Sequence, residues 1–313
     1  LAFLVVLGAA VTYLLRPSDT LQTVYKVPRG ASINRVMREL EGMGVIHSEK
    51  LSLLIARFSK IKTIRSGVYI IRPHATIGQV FKDLSVPVEV SVRCPEGYWI
   101  KRTSSFIKEQ YGNHIDDLGY TEAAAPNVPF KADGDNLVSA ASHEGRLYPG
   151  TYTVPFGFRG GDVVEAQLRE FDSKVAPLLV GHDEARVLTI ASLVELEASD
   201  PEERRIIAGI IENRLARNMR LEIDATVLYA IQRWKVLPPG FVHTVKSPYN
   251  TYEHAGLPPG PICSPTVVSV KDALNPVKSD YLFYVSKGHD RHLFARTYAE
   301  HVANIKLARG LQK

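Results

Sequence analysis

Val187-Leu-Thr-Ile-Ala-Ser-Leu-Val-Glu-Leu-Glu-Ala198 places apolar residues at 187, 188, 190, 191, 193, 194 and 196. At 3.6 residues per turn they fall on almost every side, so the segment reads as a buried helix at the centre of a domain. It carries two carboxylates in its last turn, Glu195 and Glu197. Burying a carboxylate is costly unless the group is paired or protonated. A carboxyl kept protonated by its surroundings is also what a glycosidic general acid requires near neutral pH. The helical neighbours of Glu195 at three and four residues are Ala191, Ser192, Ala198 and Ser199, all small, which leaves room for a sugar. Glu197 lies about 200° around the helix, so the two carboxylates do not share a face. Spacing alone leaves a buried salt bridge and a catalytic acid as equal readings of Glu195.

Working outward, Asp200-Pro201 and Glu203 read as the N-cap, first position and capping-box partner of a second helix over 201–217. Asn213 and Arg214 fall near its end, where a packed helix meets solvent or ligand. The following Met219-Arg-Leu-Glu-Ile-Asp-Ala-Thr-Val-Leu-Tyr229 reads as a loop that brings Arg220, Glu222 and Asp224 close together. Upstream, Asp162–Phe171 has amphipathic helical spacing and Thr151–Pro155 reads as a strand. The polar stretch from Gly112 to His143 suggests a long surface excursion.

The N-terminal third is a different unit. Thr23–Val27 and Gly67–Ile71 read as strands flanking two helices, one with Ile33, Val36, Met37 and Leu40 on a stripe behind Ser32 as N-cap, the other over 48–58. This β-α-α-β order resembles a LysM-like module. A similar pattern follows Pro73, with Ile77, Val80, Phe81 and Leu84 at helical spacing, and a weaker copy begins at Pro95. The expected fold class is α+β, with an N-terminal transmembrane helix and linker over 1–20, a LysM-like module over 21–86 and a larger α+β catalytic domain over 87–313.

Residues 1–15 contain no charge and end at Arg16. As a helix they reach about 22 Å, short of the roughly 30 Å hydrocarbon core, so a longer span is expected to begin before them. No A-x-A-like cleavage site follows, which favours an uncleaved anchor in a bacterial inner membrane with the remaining chain on its periplasmic side. The segment from Leu21 to Val86 holds 11 Lys/Arg against 4 Asp/Glu in a chain of net charge +5. That imbalance suits either a solvated face or attraction to an anionic lipid or cell-wall surface, and gives no reason to expect nucleic acid as a partner. Cys94 and Cys263 have neither disulfide-framework nor zinc-ribbon spacing. His289 and His292 have helical spacing beside Asp290, but no third ligand of an H-E-x-x-H kind, so no metal site is expected. No cofactor is implied.

Several ordered motifs resemble the endolytic murein transglycosylases, the MltG or YceG-like family. They are Ile190-Ala-Ser-Leu-Val-Glu-Leu-Glu-Ala198, Asn213-Arg-Leu215, Met219-Arg-Leu221, Asp224-Ala-Thr-Val227, Tyr249-Asn-Thr-Tyr252 and Gly256-Leu-Pro-Pro-Gly-Pro-Ile262. Pro95-Glu-Gly97, Glu144-Gly-Arg-Leu-Tyr-Pro149 and His292-Leu-Phe294 extend the likeness over nearly the whole chain. The resemblance implies a lytic transglycosylase that cleaves the β-1,4 bond between N-acetylmuramic acid and N-acetylglucosamine in nascent peptidoglycan and leaves 1,6-anhydro ends. It implies Glu195 as the acid and base, with Glu144, Asn213, Arg220, Asp224, Tyr249, Asn250, Thr251 and Tyr252 contacting substrate, and peptidoglycan synthases as possible partners. The aromatic pair at 249 and 252 suits sugar stacking and core packing equally. Leu196, Glu222, Ala225 and Gly150 depart from the family pattern. A muramidase using Asp224 or Glu144 as a second carboxylate, and a glycan-binding scaffold without activity, are the rival readings.

Overall fold

The computed structural model describes residues 12–111, 119–125, 142–288 and 291–311. Helices and short strand pairs alternate, so the α+β reading is borne out. The chain divides into two compact units, one made of 1–91 with 153–158 and the other of 92–152 with 159–313. Among the described residues no helix is long and apolar enough to cross a membrane. Most of the apolar N-terminal segment, residues 1–11, lies outside the described residues, as does most of the polar stretch after Gly112.

In the first unit β1 (Thr23–Val27) pairs antiparallel with β2 (Gly67–Ile71), with Tyr25 opposite Tyr69. Strand alternation decides which side chains go inside: Tyr25, Val27, Tyr69 and Ile71 are buried while Val24 and Ile70 are exposed. Between the strands run α1 (Ile33–Gly42) and α2 (Glu49–Phe58), each started by a serine, Ser32 or Ser48, that accepts a backbone N–H. The stripe Val36, Met37 and Leu40 meets the strands' inner face, as its spacing predicts. A third helix, α3 (Ile77–Asp83), opens with a reciprocal cap between Thr76 and Gln79 and adds Val80 and Phe81 to the same core.

β3 (Glu89–Cys94) pairs with β4 (Gly150–Pro155), and the chain passes from one unit to the other within each of these strands. The second unit continues with α4 (Ile100–Tyr111), α5 (Tyr120–Ala124), α6 (Gly160–Lys174) and α7 (Ala176–Leu179). Its centre is α8 (Glu184–Glu197), which packs against α9 (Pro201–Ala216), α10 (Asp224–Ala230) and α11 (Val267–Leu274). Leu188 to Val194 are buried without a break, because neighbours cover α8 on all sides. The hairpin β5 (Phe283–Gly288) and β6 (Arg291–Ala295) lies against α12 (Tyr298–Leu311).

Asp200 caps α9 through the N–H groups of Glu202 and Glu203, with Pro201 at its first position, as expected. Glu203 does not close a capping box; its carboxylate turns instead to the N–H and ring of His292 on β6. Asp224 does not lie in a loop, since it is the first residue of α10.

Gly209 lies in mid-α9, where glycine ordinarily costs about 1 kcal/mol relative to alanine. A Cβ there would meet the carbonyl oxygen of Val277 at 2.2 Å, and Val277 is itself bonded through its N–H to the carbonyl of Arg205. Gly209→Ala is therefore expected to destabilise, by about 1–3 kcal/mol, despite its better helix propensity. The reading is a lower denaturant midpoint at an unchanged slope; an equal or higher midpoint would contradict this packing.

Candidate active site

The last turn of α8 sends its two carboxylates to different places. Glu195 is half-buried, and its Oε2 accepts hydrogen bonds from the backbone N–H of Thr266 at 2.9 Å and from its hydroxyl at 2.8 Å. Thr266 is the N-cap of α11, so the negative charge sits at a helix N-terminus, where the dipole favours it. Beside it, Ser192 Oγ accepts from the N–H of Ile262 and the Cys263 thiol donates to the Ser192 carbonyl, tying the Pro-rich loop to α8. This face of α8 is knitted together by internal bonds.

Glu197 faces a different set of residues. The Tyr284 hydroxyl on β5 donates to its Oε2 at 2.7 Å. Loss of water around this carboxyl is the strongest influence on it and raises its pKa; the Tyr284 hydrogen bond works against the rise. The negative charge of Asp224 adds to the rise, while His292 opposes it. Asp224 is exposed at the start of α10, where the Tyr252 hydroxyl donates to its Oδ1 at 2.7 Å. Glu197 and Glu222 both act on Tyr252, whose pKa is raised mainly by burial. Tyr284 packs edge-on to His292, with ring centroids 5.6 Å apart. Glu197, Asp224, Tyr252, Tyr284 and His292 thus converge from α8, α10, the 249–252 turn and the β5–β6 hairpin.

Most of the other predicted contact residues are engaged in bonds within the fold. Thr251 is buried; its Oγ1 accepts the N–H of Ile223 at 3.0 Å and shares a bond with Thr226 at 2.9 Å. Asn250, also buried, donates to the carbonyls of Val242 and Val245 and accepts from the N–H of Tyr252. Together they pin the turn that presents Tyr252 to the start of α10. Tyr249 is buried with its ring 4.8 Å from that of Tyr229. Asn213 donates to the carbonyls of Ser279 and Tyr281. Arg220 has an exposed side chain and a backbone bridge to Ala255.

Glu144 is only 8% exposed. Its Oε2 accepts the first N–H of α4, from Ile100, at 3.1 Å and the Tyr229 hydroxyl at 3.4 Å. Gly145 follows at φ +88°, and a Cβ on it would come within 2.6 Å of Pro261. Only glycine fits both requirements.

Glu197, His292, Tyr284 and Arg214 were not among the predicted site residues. Tyr284 carries no signal beyond its place in an aromatic strand. Arg214 buries its guanidinium, donating to the carbonyls of Leu282, Arg220 and Leu221, and so fixes the loop before Asp224 to the start of β5. In that loop Glu222 adopts φ 54°, an unusual conformation for a residue with a side chain. His289 and Asp290 lie outside the described residues. Among the described residues no three His, Cys, Asp or Glu side chains are grouped as a metal site requires.

The YceG-like family model matches residues 25–307, nearly the whole chain. The chain belongs to the YceG-like family. It is 29% identical over 322 residues to the endolytic murein transglycosylase of Bacillus subtilis, covering 95% of this chain and 89% of that protein. A Streptococcus pneumoniae protein of the same name is 25% identical over 327 residues, and there the match covers 90% of this chain but 58% of the relative. A crystal structure of a yceG-like protein from Listeria monocytogenes matches 90% of this chain and 98% of that one, with 27% identity and a TM-score of 0.60. In this YceG-like chain the Asp224 and Tyr249–Tyr252 motifs gather beside Glu197 through Asp224 and Tyr252, not beside Glu195.

Proposed function

We propose that the chain is a peptidoglycan lytic transglycosylase in which Glu197, rather than Glu195, is the acid and base. The observation that carries this reading is the convergence of Asp224, Tyr252 and Tyr284 on Glu197, in surroundings that favour its protonated form. The names of its curated relatives support the reaction class.

In the proposed step, protonated Glu197 gives its proton to the glycosidic oxygen between N-acetylmuramic acid and N-acetylglucosamine as the bond breaks. Positive charge develops at the muramyl anomeric carbon, and the nearby Asp224 carboxylate is of the right sign to stabilise it. The muramyl C6 hydroxyl then attacks that carbon and surrenders its proton to Glu197. The product is a 1,6-anhydro end, and the enzyme regains its starting protonation. No water enters, so a second carboxylate is not required as a base, unlike ordinary glycoside hydrolysis. Tyr284 orients the Glu197 carboxyl through its hydrogen bond.

Asp224 beside Glu197 also keeps the muramidase reading open, with Asp224 activating a water. Mass analysis of digested glycan strands separates the two: anhydro ends are expected, and reducing ends would overturn transglycosylation. A chain that binds strands without cutting them would favour the scaffold reading. Because the Asp224 charge helps raise the Glu197 pKa, Asp224→Asn is expected to lower it. Glu197 must be protonated to act, so the alkaline limb of the kcat profile should move to lower pH. A limb that stays or moves upward would refute the coupling.

The same proposal includes anchoring by the apolar segment 1–15 in a bacterial inner membrane, with the catalytic unit periplasmic and near peptidoglycan synthases. The β-α-α-β unit over 21–86, basic in charge, is proposed as a LysM-like glycan-holding module.

A further inference from the structure

We propose that Arg102, with Trp234, forms a recognition subsite for the lactyl carboxylate of a peptide-free muramyl residue some way along the strand from the bond cleaved. The inference rests on peptidoglycan being the substrate. Arg102 lies in the first turn of α4, half-buried. Its guanidinium is over the ring of Tyr98 at 3.7 Å and over that of Trp234 at 4.8 Å, with Trp99 at 5.5 Å. Among the described residues no carboxylate lies within ion-pair distance of it.

That combination is unusual for a partly buried arginine. Aromatic rings hold the flat group by cation–π attraction while leaving its N–H donors, which lie in its own plane, free for an acceptor. A carboxylate is the acceptor that fits such a fork in two parallel bonds. Trp99 is fully buried, and its indole N–H has no partner among the described residues, so the same cluster holds a second uncommitted donor.

Trp234 is 48% exposed although its ring packs 6.1 Å from that of Trp99. A large aromatic residue kept at the surface by a packed neighbour and a cation offers a flat platform, and the apolar face of a pyranose is its natural complement. The position also suits a polymer. Trp99 packs edge-on to Tyr229 near the end of α10, and Tyr229 contacts Tyr249 in the motif that ends at Tyr252. The Glu197 cluster begins at Asp224, the other end of α10, about 7.5 Å of helix away. An enzyme that cuts inside a strand must hold sugars beyond the two that react. In a strand freed of its peptides every second sugar bears a lactyl carboxylate, which an intact stem would turn into an amide, so Arg102 reads register along such a strand while Trp234 reads the ring.

The test uses the full chain with Glu197→Gln to suppress turnover, and two probes of equal length. One is glycan strands stripped of peptide, which bear a lactyl carboxylate on alternate sugars; the other is chito-oligosaccharide, which has none. The parent is expected to bind the stripped strands about tenfold more tightly. Adding Arg102→Gln should abolish that preference, Arg102→Lys should retain part of it, and Trp234→Ala should weaken both probes alike. Circular dichroism checks that each variant folds, and Trp234→Ala, at an exposed position, keeps the subsite testable if Arg102→Gln does not. A preference that survives Arg102→Gln, or equal affinity after Trp234→Ala, overturns the subsite. If the native chain cuts glycan strands in either case, the substrate reading stands; if it neither binds nor cuts them, both fall.

Discussion

Glu197→Gln is expected to reduce strand cleavage by about two to four orders of magnitude while the protein stays folded, whereas Glu195→Gln should keep activity within about tenfold of native. The difference follows from what each carboxyl does. Glutamine at 197 still accepts the Tyr284 hydroxyl, so the site keeps its shape and loses only the proton it must give and take back. Glutamine at 195 still offers a carbonyl to the N–H and hydroxyl of Thr266. What it loses is a charge at the N-terminus of α11, worth about 0.3–1 kcal/mol of stability. Quantifying anhydro ends by mass spectrometry, beside thermal melts of each variant, checks both halves. If Glu195→Gln were inactive and well folded while Glu197→Gln turned over, the acid would be Glu195, as the resemblance alone implies.

The choice between these two glutamates marks where sequence stops being legible. Helical spacing gives a buried helix over 187–198 and separates the two carboxylates by about 200°, and both statements hold in the structure. What each carboxylate meets is decided by partners far along the chain: Thr266, 71 residues from Glu195, and Tyr284, 87 residues from Glu197. No periodicity within the helix encodes those encounters. The small neighbours of Glu195 suggest an open approach, and here α11 and the Ile262–Cys263 segment pack against that helix.

Local signals fared better where the physics is local. Asp200 and Pro201 start α9, and Ser32 starts α1, because a side-chain oxygen and the fixed proline φ act within one turn. The sequence reads Tyr249–Tyr252 as four substrate contacts alike, whereas the structure gives the four side chains different surroundings. Polar Asn250 and Thr251 look like ligands on paper, yet a tight turn buries backbone groups that need partners, and these two side chains supply them. Tyr252 alone of the four reaches the carboxylate cluster. Glu203 shows the same competition: a capping box was available, and the bond to His292 prevailed.

Glu144→Gln should flatten the pH dependence of stability and leave the protein more stable than native above neutrality. Burial raises the Glu144 pKa from 4.5 to about 8, opposed by the hydrogen bonds from Ile100, Tyr229 and Gly145. Because the folded state holds this proton more tightly than the unfolded chain, no penalty exists below pH 4.5, where both states are protonated. As pH rises from there to about 8, the unfolded chain ionises first and the native protein loses up to about 1.4 kcal/mol per pH unit. The full loss is on the order of 3–5 kcal/mol. Glutamine matches the neutral acid in shape, and its carbonyl can accept the N–H of Ile100 and the hydroxyl of Tyr229, so little should change at pH 4 to 5. Melting curves of the two proteins that stayed parallel from pH 5 to pH 9 would show that Glu144 is ionised in the fold. The consequence reaches the substrate face, since the N–H that Glu144 accepts belongs to the first turn of α4, which carries Arg102. A neutral carboxyl at this point holds that turn in place through the N–H of Ile100.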